Sequence, residues 1–424
     1  MKRIAVLGPE LPSVSMTFVY REAALLERQG LTVVPFSLHT PSLEGLDAEA
    51  LSFAAKVQRI YGRGLAIARD ALLQCVKRPK ATLASLGLAL RDVVRGRFTS
   101  VRQRCILLGQ WSAGMALAHR IRRSGCEHLH VHFSHSPATV AMYAAHAAGV
   151  PFSVTSHAND LYVHASLLRE KVQRAQPFFT ISEANREFLR SELGELGGQV
   201  LLSRCGVDTT RFSPSTRADG TTLLGVGRLV PKKGFDLLLR AFARAAKARP
   251  ELRLVIAGDG PERGALETLG RGLGLEDRVS FLGQVTGEQV LEQLAEASAF
   301  VLPCRKATDG DRDGIPVVLM EAMACGVPVI STRLSGIPEL INDRESGRLV
   351  EPGDLDSLEA ALRERFEHPR LAEERAVAAR EHVLEAYDSA DNARRLIAEI
   401  ERAATRSSRN PGDSLRGDWL GATA

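Results

Sequence analysis

Short apolar runs rich in Val, Ile and Leu alternate along the chain with longer segments whose apolar residues recur at helical spacing. Parallel sheets with crossover helices produce that alternation, because a strand covered on both faces reads as an unbroken apolar run. In the first half the pattern predicts strands over residues 3–7, 31–37, 128–133, 152–156, 178–181 and 199–203, and a helix over 17–29 closed by Gly30. A second series opens at 222–226 and continues through 252–257, 279–282, 299–302 and 327–330, and residues 355–404 read as three helical segments. Between the two series, RCGVDTTRFSPSTRADG (204–220) has no apolar period and carries the Gly, Pro, Ser and Asp of a linker. The expected class is α/β, with two doubly wound domains over 1–216 and 217–385, a helix over 386–404 and a flexible tail over 405–424.

Length and composition narrow this little further. The 424 residues, 45% hydrophobic and 25% charged, suit two or three soluble domains and exclude a disulfide-stapled scaffold or a disordered chain. Six cysteines lie far apart with no CxxC pair, so they read as reduced, mostly core thiols. The longest stretch free of Asp, Glu, Lys and Arg, 128–159, is broken by histidines, Pro137, Gly149 and Pro151 and is no membrane span; the apolar run before Gly8 is too short for a signal peptide. A cytoplasmic protein is expected. Charge is uneven: residues 1–216 carry 26 Lys/Arg against 16 Asp/Glu (+10), and 217–424 carry 29 against 34 (−5). Most of the excess lies in 56–104, twelve basic residues against Asp70 and Asp92. With Leu72, Leu73, Val76, Leu83, Leu86, Leu88 and Leu90 interleaved, this stretch, within an insert over 51–104, fits either a solvated basic face or an amphipathic surface for an anionic membrane. Phe53, Tyr61 and Phe98 are too few for a base-stacking platform, so no nucleic-acid partner is expected.

Four further segments carry candidate chemistry. GRLVPKKGFD (227–236) follows a strand and opens a helix, where Arg228 and Lys232 or Lys233 can clamp phosphate oxygens and Gly227 and Gly234 permit close backbone approach; the same residues also fit a turn with solvated charges. In DGDRDGIPVVLMEAMACGVPVIST (309–332), a helix over 316–324 begins after Gly314 and Ile315 with Pro316 in its first turn, and its free N–H groups suit a diphosphate. Asp313 and Glu321 stand at either end as hydroxyl acceptors. A calcium loop is excluded because Met320 occupies the position that needs a bidentate Glu. The histidine-rich stretch places His157 at a strand's carboxyl end, able to donate to a sugar hydroxyl or phosphate or to sit satisfied beside Asn159 and Asp160. His130, His132 and His135 are weighed as a metal cluster and set aside: a strand puts His130 and His132 on one face without a defined third partner, so no metal site is expected and His132 reads as a core or acceptor-facing residue. GPELPSVSMTFV (8–19) is not GxGxxG and supports no dinucleotide cofactor, but its loop, with Ser15 and Thr17, is a candidate substrate contact.

In this order GRLVPKKG, AGDGP (257–261), FLGQV (281–285) and DGIPVVLMEAMACGVPVIST with GIPELI resemble the donor domain of glycosyltransferase family four. RCGVDTTRFSP resembles the segment joining that family's domains. PSVSMTFVYREAALLERQG and HVHFSHSPATVAMYAAHAAGVPFSVTSHANDLY are similar to its exopolysaccharide branch, the colanic acid and amylovoran transferases. The resemblance implies two Rossmann-like domains facing across a cleft, the GT-B arrangement, with C-terminal helices crossing back to the first. It implies sugar transfer from a nucleotide diphosphate donor with retention, without a metal or other cofactor. On matching positions, Arg228 and Lys233 would hold the diphosphate, Glu321 the ribose and Asp313 the sugar hydroxyls; His157 would support the sugar, and Gly314, Ile315 and Pro316 would supply backbone contacts. Asp313 departs from the family's usual Glu by one methylene. The implied acceptor is a lipid-linked oligosaccharide at the cytoplasmic membrane face. An epimerase or phosphorylase of like architecture, or a binding protein that has lost turnover, remains as an alternative.

Overall fold

The computed structural model describes residues 1–62, 64–96, 98, 100–214 and 220–409, without the side chains of 407–409. Arg97, residues 215–219 of the expected linker and the expected tail beyond residue 409 lie outside the described residues. The chain forms two units: residues 1–181 with 185–203 and 392 onward, and residues 182–184 with 204–391.

The first unit is built on a seven-stranded, all-parallel sheet of β1 (Arg3–Gly8), β2 (Thr32–Ser37), β3 (Gln58–Arg59), β4 (His128–His132), β5 (Phe152–Ser156), β6 (Phe178–Thr180) and β7 (Leu201–Leu202), in the order β3-β2-β1-β4-β5-β6-β7. The second holds six parallel strands, β8 (Thr222–Val226), β9 (Arg253–Ala257), β10 (Val279–Gly283), β11 (Ala299–Leu302), β12 (Val329–Thr332) and β13 (Arg348–Val350), in the order β10-β9-β8-β11-β12-β13. The α/β class read from the sequence is therefore the observed one. Each sheet reverses its winding once, between β1 and β4 and between β8 and β11, the place on the carboxyl rim where doubly wound sheets take their ligands.

Strand alternation builds the cores. Ala5 and Leu7 face a cluster with Leu129, Val131 and Tyr143, while Ile4 and Val6 face the opposite side, against Val19, Tyr20 and Leu26 of the helix Thr17–Arg28. The C-terminal helix Ser389–Arg409 covers the same side, with Ala393 in the Ile4 cluster and Leu396 and Ile400 against Phe179. Burying each such side chain contributes about 1.5–3 kcal/mol.

Several elements differ from expectation. The strand expected over 327–330 lies two residues later, because Pro328 has no N–H for the ladder; its carbonyl instead accepts from Phe300 N at 2.9 Å. The edge strands β3 and β13 are too short to register as apolar runs. The described part of the expected linker packs on the second unit, where Val207 exchanges hydrogen bonds with Tyr387 and Ser389 and Phe212 is fully buried.

The basic insert folds as the helices Gly64–Lys77 and Pro79–Arg95, followed by Val101–Arg123, and the first two are turned inside out. Their buried residues include Asp70, Gln74, Thr82, Ser85 and Asp92, whereas Leu65, Leu72, Val76, Leu83, Leu90 and Val94 are exposed. The buried polar groups are paired. Arg120 Nε donates to Asp70 at 2.8 Å, and Trp111 Nε1 lies 3.3 Å from Ser85 Oγ. Asp92 takes a bidentate pair from Arg174 at 2.6 and 2.7 Å and a bond from Tyr143 at 2.9 Å. Removing one partner of a buried pair strands the other charge, at a cost of about 3–5 kcal/mol. Asp92→Ala should therefore lower the unfolding free energy of the first unit in urea, followed by Trp111 fluorescence, by that amount. Arg174→Met added to it should recover most of the loss. If Asp92→Ala unfolds with the wild type, the pair does not hold these helices.

Candidate functional site

In the second unit the site grows from loops at the carboxyl rim of β8, β9 and β11. Gly227 N donates to Ala257 O (3.0 Å), Leu229 N to Asp259 O (2.9 Å) and Gly258 N to Gly283 O (2.7 Å), so three of the family-like motifs bond to one another as a platform. Two glycines make this approach possible. Gly258 has φ +134°, and a Cβ there would lie 2.0 Å from Gly227 O; Gly234 has φ +71°, and its Cβ would lie 2.1 Å from Pro303 O.

The β8 and β11 loops meet across the reversal point. Lys233 Nζ lies 2.9 Å from Asp313 Oδ2, and Lys232 Nζ lies 3.0 Å from Asp311 and 3.5 Å from Asp313. The buried Cys304 thiol donates to Asp313 Oδ2 at 3.4 Å. Burial opposes the charge on Asp313, but Lys233 and Lys232 outweigh it and hold the carboxyl below its ordinary range. Burial likewise opposes the charge on Lys233, and Asp313 raises it. Burial pushes the Cys304 thiol far up, so it remains a protonated donor. Lys233 and Asp313, read from sequence as separate contacts, are thus an ion pair. Arg228 is exposed on the same loop, without an ion-pair partner among the described residues.

The helix of the fourth motif runs Val317–Ala324, not from Pro316, which stands outside the first turn with extended backbone (ψ 123°) as its cap. Its first N–H groups have no carbonyl a turn earlier and form an anion-favouring end. Gly314 is buried, with its carbonyl accepting from Gly336 N at 3.2 Å; the Ile315 side chain enters the core, leaving only backbone to face a ligand. Glu321 is buried within the helix. Arg228, Lys232, Lys233, Asp311, Asp313 and this helix end belong to two loops of one rim, where phosphate oxygens and sugar hydroxyls find donors and acceptors together.

In the first unit the corresponding rim carries Ser15, Thr17, His132 and His157. Ser15 is exposed in the short 3-10 turn Val14–Met16, and Thr17 begins the next helix. His157, just after β5, is buried between Phe133 (ring centroids 4.4 Å), Phe18 (4.8 Å) and His132 (5.5 Å), and its Nε2 lies 3.3 Å from His132 Nδ1. Burial, then His132, pushes its pKa well below the ordinary range, so the ring is neutral. Asp160, absent from the sequence reading except as a turn neighbour, fixes this loop by accepting from the backbone N–H of His157 (2.9 Å) and Ser134 (2.6 Å).

One expectation is corrected. His130 and His132 do have a third partner, Glu22 of the helix Thr17–Arg28, whose Oε1 lies 3.5 and 3.1 Å from their Nε2 atoms. His135 stands apart, stacked on Phe133. The signal was present: Glu22 sits on the apolar stripe of Val19, Ala23 and Leu26, where an amphipathic helix has no ordinary use for a carboxylate.

The profile of glycosyl transferases group 1 matches residues 207–382, and that of glycosyltransferase family 4 matches 16–211. A putative colanic acid biosynthesis glycosyltransferase of Salmonella typhimurium is 39% identical over 208 residues, 48% of this chain and 51% of that protein. A GDP-mannose-dependent phosphatidylinositol monomannoside mannosyltransferase of Mycolicibacterium smegmatis is 34% identical over 192 residues, 42% of this chain and 50% of that one. The chain thus spans about half the length of the curated relatives it matches. The crystal structure of Anabaena Alr3699/HepE in complex with UDP shares the fold, with TM-score 0.70 over 95% of this chain and 100% of the other at 16% identity. Two family profiles in succession along 16–382 give this chain a glycosyltransferase family 4 domain followed by a glycosyl transferases group 1 domain, each built on a parallel sheet.

Proposed function

We propose that this chain transfers a sugar from a nucleoside diphosphate sugar to a hydroxyl of a glycan acceptor, with retention at the anomeric carbon and without a cofactor. The observation that carries the reading is the two-loop cluster of Lys232, Lys233, Asp311 and Asp313 just before the amino end of Val317–Ala324, with Arg228 exposed on the same loop as the lysines. An arriving diphosphate competes with Asp313 for Lys233 and frees that carboxylate to accept from sugar hydroxyls. Arg228, Lys233 and the helix end then stabilise the charge that grows on the departing diphosphate, an interaction stronger in the transition state than before it. The sugar passes through an oxocarbenium-like state, and the leaving phosphate takes the acceptor's proton. His157, neutral and packed by Phe18 and Phe133, supports the sugar, and Glu321 accepts from the ribose hydroxyls. Asp313 retains the carboxylate of the family's Glu with a shorter reach, which bears on which sugar fits.

The similar proteins differ in what their names record, GDP-mannose for one and bound UDP for another, so both bases belong in the assay. Purified protein given a panel of UDP- and GDP-sugars, with and without a membrane lipid extract, should release nucleoside diphosphate from one donor. Arg228→Ala should cut kcat by about 100- to 1,000-fold, the magnitude of losing one transition-state donor. Unchanged kcat in that variant removes Arg228 from the mechanism. Product analysis separates the alternatives: an epimerised nucleotide sugar formed without any acceptor points instead to an epimerase, and turnover that requires inorganic phosphate points to a phosphorylase. Donor-dependent thermal stabilisation without release in any arm points to a binding protein.

We further propose that the acceptor is a lipid-linked oligosaccharide reached at the cytoplasmic face of an anionic membrane. The inside-out helices support this: Leu65, Leu72, Val76, Leu83 and Leu90 are exposed near Lys77, Arg78, Lys80 and Arg95. Exposed apolar side chains among basic ones gain from the headgroup boundary, and each cation near an anionic surface adds about 1 kcal/mol. No helix among the described residues is long and apolar enough to cross a membrane. The wild type should sediment with anionic vesicles and lose binding when Leu72, Val76 and Leu83 become Ser or when Arg91, Arg95 and Arg97 are neutralised. Binding that survives both changes rejects this surface.

A further inference from the structure

We propose that Glu22, His130 and His132 bind one first-row divalent transition-metal ion of the zinc class, held between the helix Thr17–Arg28 and β4 of the first sheet. The topology builds the donor set. On β4, Leu129 and Val131 face the core cluster that contains Tyr143, so His130 and His132 face the other side, where the helix presents Glu22. The three donor atoms, two imidazole nitrogens and a carboxylate oxygen, lie within 4.8 Å of one another. Ligands about 2.1 Å from a tetrahedral zinc stand roughly 3.4 Å apart. Oε1 of Glu22 is 3.1 Å from His132 Nε2 and 3.5 Å from His130 Nε2, so two of the separations already match.

A hydrogen-bonded cluster would leave a different signature. Glu22 Oε1 and His132 Nε2, 3.1 Å apart, are both shielded from solvent, yet the imidazole N–H does not point along the line between them as a well-formed hydrogen bond requires. Two lone pairs converging on a shared point, rather than on each other, produce that arrangement. His132 is 1% exposed, and a buried donor or acceptor without a partner needs an explanation.

The surroundings suit a ligand shell. His130 Nδ1 lies 2.8 Å from Ser153 Oγ, which is also 2.8 Å from His128 Nε2, so Ser153 orients the His130 ring from behind. Thr155 Oγ1, 3.3 Å from His130 Nε2, is a neutral neighbour that turns aside on loading. Three protein donors leave the fourth position to water reaching past Glu22, whose side chain is 22% exposed. The donor set, two imidazoles and one carboxylate, favours zinc, cobalt or nickel over calcium or magnesium. Loading also sets a tautomer: metal on His132 Nε2 puts the proton on Nδ1, which then donates to His157 Nε2 at 3.3 Å. The ion would therefore brace the ring at the rim of β5, and the site stands whether or not the chain transfers sugar.

The test uses the full chain, stripped with a chelator and titrated with Zn2+ alone. A single equivalent should bind and raise the melting temperature. Glu22→Gln and His132→Gln should weaken binding by more than the roughly 10- to 100-fold that loss of an outer-shell partner costs, and His135→Gln should leave it unchanged. The cobalt form should show d–d absorption without a thiolate charge-transfer band. Should the two variants fail to match the wild-type circular dichroism, histidine 15N spectra of the wild type decide: zinc should shift Nε2 of His130 and His132 and not that of His128. The proposal is overturned by absent zinc uptake, by uptake that persists in both folded variants, by a cobalt thiolate band, or by unmoved His130 and His132 resonances.

Discussion

A parallel sheet delivers every loop that follows a strand to the same rim, and a reversal of strand order opens that rim at one place. Both units obey this constraint, and the placement of their polar side chains follows from it. In the second unit the reversal separates β8 from β11. The loops after those strands bring Lys232 and Lys233 within ion-pair distance of Asp311 and Asp313, 79 and 80 positions further along the chain. Local sequence preference cannot join groups so distant. What joins them is the register of the sheet together with the glycines, Gly234 and Gly258, that let the loops approach without a Cβ between them.

The same geometry accounts for the clustering of family-like motifs. GRLVPKKG, AGDGP and FLGQV follow β8, lie after β9 and span the end of β10, and their backbones bond to one another before any ligand is considered. They form a platform on which Arg228 and the lysines stand. The paired Lys233 and Asp313 hold each other charged in a buried setting, because each lies where the other's field offsets the cost of desolvation. A ligand with both phosphate and hydroxyl groups can replace that pairing on both sides at once; an isolated anion satisfies only the lysine.

The first unit departs from the simplest expectation in two places, and in both a polar group sits where an apolar one is usual. The inner face of β4 and β5 carries His128, His130, His132, Ser153 and Thr155, all buried, and the helix that covers it brings a carboxylate. The helices of the insert bury Asp70, Gln74 and Asp92 while exposing leucines. Buried polar groups cost several kcal/mol unless partnered. The partners found, Arg120, Arg174 and Tyr143, come from the helices Val101–Arg123, Leu168–Arg174 and Ser136–Ala148, which no reading of the insert alone connects to it.

The sequence by itself determined the α/β class, the two series of strands, most element positions and the motif loops at the strand ends. Periodicity and turn chemistry are local, and each strand run or glycine-bounded loop carries its own signal. Edge strands of two or three residues, such as Gln58–Arg59 and Arg348–Val350, have too few positions to carry one. Sequence also singled out Arg228, one of Lys232 and Lys233, Asp313, Glu321 and His157, because charges and histidines beside glycine loops stand out in an apolar pattern, and the family resemblance pointed to Lys233 of the two lysines. Only the tertiary structure decided that Lys233 pairs with Asp313, that Asp160 anchors the His157 loop, and that Glu22 completes a cluster with His130 and His132. Those are contacts between residues far apart in the chain, set by strand order and helix packing, and one-dimensional spacing carries no record of either.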